Sequence, residues 1–285
     1  MLINPAREII DYGVQLTGAP LIWKETMGEG IRVGVIDTGA DVSHPDLKER
    51  IEEYINFTGD GTLADGSGHG THVCGIIAAS YNGIGIVGVA PKCELYVAKA
   101  FKKDGSAESV AIADSIEWLI SKKVNVINMS FASDKPSAII YEKIKKAYDQ
   151  GIVLVAASGN EGTEGSVGYP AKWDEVIAVT AIDPNKKFAS FNSYGNETCL
   201  AAAGRDIYST YPGGKYKKLS GTSMAAPMIS GVAALMQGKA KRRFSRLLTP
   251  HEIKLLLYMY ADDYGESGKD NKFGYGVFSF DRIKK

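Results

Sequence analysis

From residue 31 onward, short apolar runs alternate with longer stretches in which apolar positions recur every three or four residues. Five runs read as strands: 31–36, 95–100, 124–129, 152–156 and 176–181. They are rich in Val, Ile, Leu and Ala without a regular apolar–polar alternation. A strand with one wet face would alternate apolar with polar, so these are expected to be covered on both faces. Helical periodicity spans 71–79, 106–122 and 137–150. Such alternation predicts a three-layer α/β fold, a mainly parallel sheet with helices on both faces.

The C-terminal third reads differently. Residues 200–219 intersperse Gly, Pro and Tyr among apolar positions and predict short strands and turns. A helix of small residues starts near Thr222 and is expected to run to about Gly238. Thr249-Pro250-His251-Glu252 places a hydroxyl at the N-cap, Pro at the first helical position and Glu at N3. That is a capping box, with a helix to follow over 252–260. Residues 262–276 read as a polar, Gly-rich loop. With no long linker and no repeat, 12–285 is expected to form one domain behind a short extension, 1–11.

Composition narrows the function classes. The 285 residues are 45% apolar and 23% charged, enough to bury a large core. Thirty-three basic residues balance thirty-three acidic ones, which argues against nucleic acid or a membrane surface as partner. The run Lys239-Ala240-Lys241-Arg242-Arg243 reads as a solvated helix end. The start of the chain has no basic segment followed by an apolar one, and no apolar run approaches the roughly 20 residues of a membrane span. Cys74, Cys93 and Cys199 do not form a disulfide framework. The expectation is a cytoplasmic protein.

Three stretches carry candidate chemistry: Val33-Gly34-Val35-Ile36-Asp37-Thr38-Gly39, Gly68-His69-Gly70-Thr71-His72 and Gly221-Thr222-Ser223-Met224-Ala225-Ala226-Pro227. Asp37 ends a strand, where α/β proteins place ligand-binding groups, though Asp-Thr-Gly also suits an Asx turn. Glycines leave the His69 imidazole uncrowded. His72 follows one turn later and reads as a hydrogen-bonded structural residue, since a zinc site needs a third protein ligand. Ser223 opens a helix whose first amides favour a developing oxyanion, though Thr222 and Ser223 also suit N-caps. In a fourth stretch, Ser158-Gly159-Asn160-Glu161-Gly162, an amide side chain at a strand end is a candidate oxyanion donor. The order acid, base, hydroxyl is the Asp-His-Ser order of one known triad arrangement. A decoy also occurs: Gly83-Ile84-Gly85-Ile86-Val87-Gly88 matches a dinucleotide fingerprint, but it follows a helix and precedes a strand, the reverse of what that fingerprint needs.

Together with Ser43-His44-Pro45-Asp46-Leu47, Gly88-Val89-Ala90-Pro91, Ile127-Asn128-Met129-Ser130 and Gly168-Tyr169-Pro170-Ala171, these stretches resemble the subtilase family over about residues 12–240. The lack of a signal segment makes the chain most similar to the intracellular subtilisins. The resemblance implies a subtilisin-like fold and a serine endopeptidase with catalytic Asp37, His69 and Ser223. It implies oxyanion donors at Asn160, the Ser223 amide and Thr222. It further implies substrate-binding strands at Ser130-Phe131-Ala132 and Ala157-Ser158-Gly159, with Gly168 near the pocket floor and Glu161 at its rim. The family commonly has Gly where this chain has Ala132, and often again at Ser133. It implies a structural Ca²⁺ ion held by Glu8, Asp46, the Asn82 amide and the carbonyls of Ser80, Ile84 and Ile86. Intracellular subtilisins are often homodimers, an assembly this sequence does not itself reveal. The expected activity is broad degradation of cytoplasmic protein and peptide substrates. The alternatives are a processing protease for one peptide and a catalytically silent binding protein. Leu2-Ile3-Asn4-Pro5 resembles a short inhibitory segment, so 1–11 is expected to restrain the cleft.

Overall fold

The computed structural model describes residues 8–284. Two short helices, α1 (Tyr12–Leu16) and α2 (Ala19–Ile22), lead into strand β1 (Arg32–Asp37). Next come β2 (Ile51–Asn56), helix α3 (His69–Ala78), β3 (Glu94–Lys99), α4 (Ser109–Ser121), β4 (Val126–Met129), α5 (Ala138–Asp149), β5 (Val153–Ala157) and β6 (Val176–Ile182). The C-terminal third holds β7 (Leu200–Ala203), β8 (Ile207–Tyr211), β9 (Lys215–Leu219), α6 (Thr222–Phe244), α7 (Pro250–Met259), β10 (Ala261–Asp262) and β11 (Val277–Phe278).

The main sheet has the order β10-β11-β7-β6-β5-β4-β1-β3-β2, and every pairing but β10 with β11 is parallel. Successive strand residues enter opposite cores. Val33 and Val35 pack with Val73 and Ile76 of α3 and Ile229 and Val232 of α6. Ile36 and Met129 pack with Ile116 of α4 and Ile144 of α5. Both faces are therefore dry, which explains the apolar-rich runs. Each fully buried Val, Ile or Leu contributes about 1.5–3 kcal/mol. The hairpin β8–β9 lies outside the sheet.

The chain leaves β1 toward β3 and β2 on one side and toward β4 and β5 on the other. Such a reversal opens a crevice at the carboxyl ends of the strands. Asp37 ends β1, Ser130 follows β4, and Asn160 lies just past β5.

Three boundaries differ from expectation. β2 went unrecognised because it is an edge strand carrying exposed Glu52 and Glu53. α3 begins at His69, two residues early, so the imidazole sits on the first helical residue. α6 continues past Gly238 to Phe244, because that glycine lets the helix press against the Thr26 side chain. The capping box of α7 forms as expected, with Thr249 Oγ1 accepting from the Glu252 N–H at 3.2 Å.

Candidate active site

The acid and the base meet because two backbones approach closely. Asp37 is 3% exposed, and its Oδ1 lies 2.7 Å from His69 Nδ1. The same oxygen accepts the Thr38 N–H at 2.7 Å. At Gly70 a Cβ would run into the Gly39 carbonyl, so only glycine lets α3 dock this close to the end of β1. Burial opposes a charge on His69. The Asp37 carboxylate, and then Asp65, outweigh it and hold the imidazole above the ordinary histidine range. The Asp37 carboxylate accepts a hydrogen bond from the Nδ1–H, which leaves the Nε2 lone pair toward the cleft.

The nucleophile sits on the second residue of α6, and a missing donor shapes its surroundings. Pro227 has no N–H to offer the Ser223 carbonyl four residues back. The Ser130 hydroxyl donates to that carbonyl instead, at 2.9 Å. Ser130 Oγ in turn accepts from Asn128 Nδ2 at 2.9 Å, and Ser230 donates to Asn128 Oδ1 at 2.8 Å. The Ser223 hydroxyl donates to the Ser130 carbonyl at 2.9 Å and makes no hydrogen bond to His69. Serine–histidine bonds of this kind often tighten only once substrate is present.

Asn160 Oδ1 accepts from the Thr222 N–H at 3.0 Å and lies 3.2 Å from Thr222 Oγ1. This pins the amide and leaves its Nδ2 free of the helix. Thr222 is fully buried, and its hydroxyl is engaged with Gly159 and with Asn160, the residue expected to stabilise the oxyanion beside it.

Asp37, His69, Ser130, Asn160 and Ser223 line one cleft of about 640 Å³. Phe131, Ala132, Gly159, Glu161 and Gly168 line it too. A Cβ at Gly168 would come within 2.9 Å of the Ala132 methyl, so Ala132 fills space beside the pocket floor. The expected second substrate stretch, residues 157–159, lies partly beneath the cleft. Ala157 and Ser158 are buried, and the Ser158 backbone is already paired, its N–H with Val179 and its carbonyl with Gly168. Only Gly159 of that trio reaches the cleft. The walls the sequence reading missed are Phe101 and Gly105, which follow β3. The Phe101 and Phe131 rings stand 4.8 Å apart.

The Subtilase family model matches residues 28–276. The chain belongs to the subtilase family. It is 41% identical over 269 residues to an intracellular serine protease of Paenibacillus polymyxa, a match covering 91% of this chain and 82% of that protein. It is 44% identical over 265 residues to subtilisin DY of Bacillus licheniformis, covering 91% and 94% of the two chains. This subtilase is a serine endopeptidase acting on protein or peptide substrates.

Glu8, Asp46 and the loop after α3 carry the residues expected to bind calcium. Glu8 Oε1 accepts the Asn82 and Gly83 N–H groups at 2.7 and 3.1 Å. Asp46 accepts from Asn82 Nδ2, the Ile86 N–H and the Tyr216 hydroxyl at 3.2, 3.1 and 2.9 Å. The carbonyls of Ser80, Ile84 and Ile86 accept no hydrogen bond among the described residues, and the buried Ser80 hydroxyl has no partner. Two carboxylates, one amide and three unclaimed carbonyls make an all-oxygen donor set of the kind calcium takes. Among the described residues no group of three or more His, Cys, Asp or Glu could hold a metal, and no helix is long and apolar enough to cross a membrane. Of the N-terminal segment expected to inhibit, residues 1–7 lie outside the described residues, and Ile9 pairs with Gly85 and Val87 of this loop.

Proposed function

We propose that Ser223, His69 and Asp37 act as the triad of a broad-specificity endopeptidase whose single catalytic domain spans residues 12–285. The observation that carries this reading is the 2.7 Å Asp37–His69 contact in a cleft shared with Ser223 and Asn160. The Ser223 hydroxyl swings from the Ser130 carbonyl to His69 Nε2 as substrate enters. Its Oγ attacks the scissile carbonyl, and His69 takes the proton. Asn160 Nδ2 and the Ser223 N–H stabilise the oxyanion. The C–N bond breaks as His69 returns that proton to the leaving amine. A water, deprotonated by the same imidazole, then releases the acyl group and restores Ser223.

A fluorophosphonate probe tests this. Wild type is expected to be labelled on Ser223, and Ser223→Ala is expected to be inert. A folded wild-type protein that takes no label overturns the triad.

Substrate choice follows from the pocket wall. The Ala132 methyl beside Gly168 supports a narrowed P1 subsite that still accepts apolar side chains. A peptide-library profile is expected to tolerate many sequences, and Ala132→Gly is expected to admit larger P1 residues. Cleavage confined to one long sequence would instead mark a dedicated processing enzyme. The intracellular relative supports a cytoplasmic setting.

Calcium at the Glu8–Asp46 loop is part of this reading, and the ion there would tie the loop to the N-terminal segment. Chelation is expected to lower the melting temperature of wild type but not of Asp46→Asn. Inhibition by the first residues is tested by removing residues 1–7, which spares Glu8. A rise in peptidase rate supports it, and equal rates refute it.

A further inference from the structure

A second buried carboxylate, on neither β1 nor α3, holds both triad elements. Asp65 is 7% exposed. Its Oδ1 accepts from Thr38 Oγ1 and the Gly68 N–H at 2.8 Å each, and from the Ser67 N–H at 3.3 Å. Its Oδ2 accepts the Thr71 N–H at 2.8 Å and the Thr71 hydroxyl at 2.6 Å. Thr38 follows Asp37 directly, and its Oγ1 also accepts the Gly70 N–H at 3.0 Å. Thr71 lies two residues after His69. The N-cap of α3 is Gly68, which has no side chain to satisfy the first amides of the helix. Asp65 does this from outside the helix and places a negative charge beside its positive end. The carboxylate is itself fixed. Lys99, only 2% exposed, crosses beneath the preceding loop and donates to Asp60 Oδ2, the Thr62 carbonyl and the Ala64 carbonyl at 2.8, 3.0 and 3.2 Å.

We propose that Asp65 is a positioning residue for the reaction: it locks His69 against Asp37 and supplies a second negative charge that favours the imidazolium. This rests on the triad reading above. Asp65 touches no substrate, so its effect falls on turnover and on the titration of His69. The groups around the pair are Asp37 from β1, Tyr54 from β2, His72 and Cys74 from α3, and the Lys99–Asp60 pair. None of these changes in the test variants.

The test uses the full chain, with active sites counted by fluorophosphonate so that misfolded protein drops out. Asp65→Asn keeps the shape, loses the charge and turns an amide donor toward one set of its partners. We expect kcat per labelled site to fall about tenfold with KM within about twofold. The acid limb of kcat/KM should move down by about half a pH unit, because an imidazole relieved of a nearby anion deprotonates at lower pH. Thr71→Val keeps the charge and removes the hydroxyl's two bonds, the one it donates to Asp65 Oδ2 and the one it accepts from the Asp41 N–H. It should lower kcat without moving the limb, and Thr71→Ser should restore it. Asp65→Asn with an unmoved limb and kcat within twofold overturns the proposal. If Asp65→Asn does not fold, Thr71→Val with unchanged kcat overturns it. Wild type that takes no label refutes the triad reading instead.

Discussion

His69 and His72 lie three positions apart on α3, and their surroundings differ in everything that sets a histidine's charge. His69 is half-buried, meets a carboxylate through Nδ1 and titrates above the ordinary range. His72 is fully buried, and its Nε2 lies 3.0 Å from both the Ile207 and the Lys217 carbonyls. Burial, the largest cause, pushes His72 down to about 4, although those carbonyls favour its protonated form. One ring faces a cleft and holds its proton more tightly than an ordinary histidine. The other stays neutral and fastens α3 to the hairpin that leads into Ser223. The lesson is that a helix start can hold a proton carrier and a structural pin one turn apart, provided only one of them faces a carboxylate.

The largest expected break in this comparison is at the carrier. His69→Ala should lower kcat by about 10⁴-fold or more, with a melting temperature close to wild type. His72→Ala should do the reverse. It strips the donor from two carbonyls and leaves a void, so chemical denaturation should show a loss of about 3 kcal/mol. Its kcat per labelled site should stay within severalfold of wild type.

The two rings should also bend the pH–stability curve in opposite directions. His72 binds its proton more weakly folded than unfolded. Its stabilisation is therefore complete above about 6.5 and lost as pH falls from there toward about 4, a change of roughly 3 kcal/mol. His69 binds its proton more tightly when folded. Its contribution is complete below its unfolded value and lost as pH rises through its higher folded one. Denaturation between pH 4 and 7 should show the first slope in wild type and not in His72→Gln. Smaller effects sharpen the picture further out. Thr222→Val keeps the backbone N–H on Asn160 but removes the hydroxyl from Asn160 and Gly159, and should cost about three- to tenfold in kcat and about 1 kcal/mol in stability. Thr249→Ala removes the α7 cap far from the cleft and should cost about 1 kcal/mol with no change in kcat.

The parts legible in the sequence were those that local pattern decides. Dry strands announce themselves by apolar-rich runs, and the triad positions by glycines flanking polar residues at element ends. Asp65 escaped because Asp-Gly-Ser-Gly reads as a turn, and nothing local says that its carboxylate reaches Thr38 and Thr71. Phe101 and Gly105 escaped because a cleft wall is built by segments distant in sequence. The pairing of the Ser158 backbone with Val179 and Gly168 was not legible because it depends on strand register, which apolar runs do not encode. The bond from the Ser223 hydroxyl to the Ser130 carbonyl was not legible because a rotamer follows from neighbours distant in sequence.

Pro227 acts by what it withholds. An alanine there would let α6 close its own ladder and keep the Ser223 carbonyl to itself. With proline, that carbonyl is ceded to Ser130, and the Ser223 hydroxyl is received by the carbonyl of the same residue. Nucleophile and pocket wall are thereby laced at two points. A peptide that tugs on the wall while settling into the cleft also tugs on the group that will cut it, so how well a side chain fits is felt directly at the attacking oxygen.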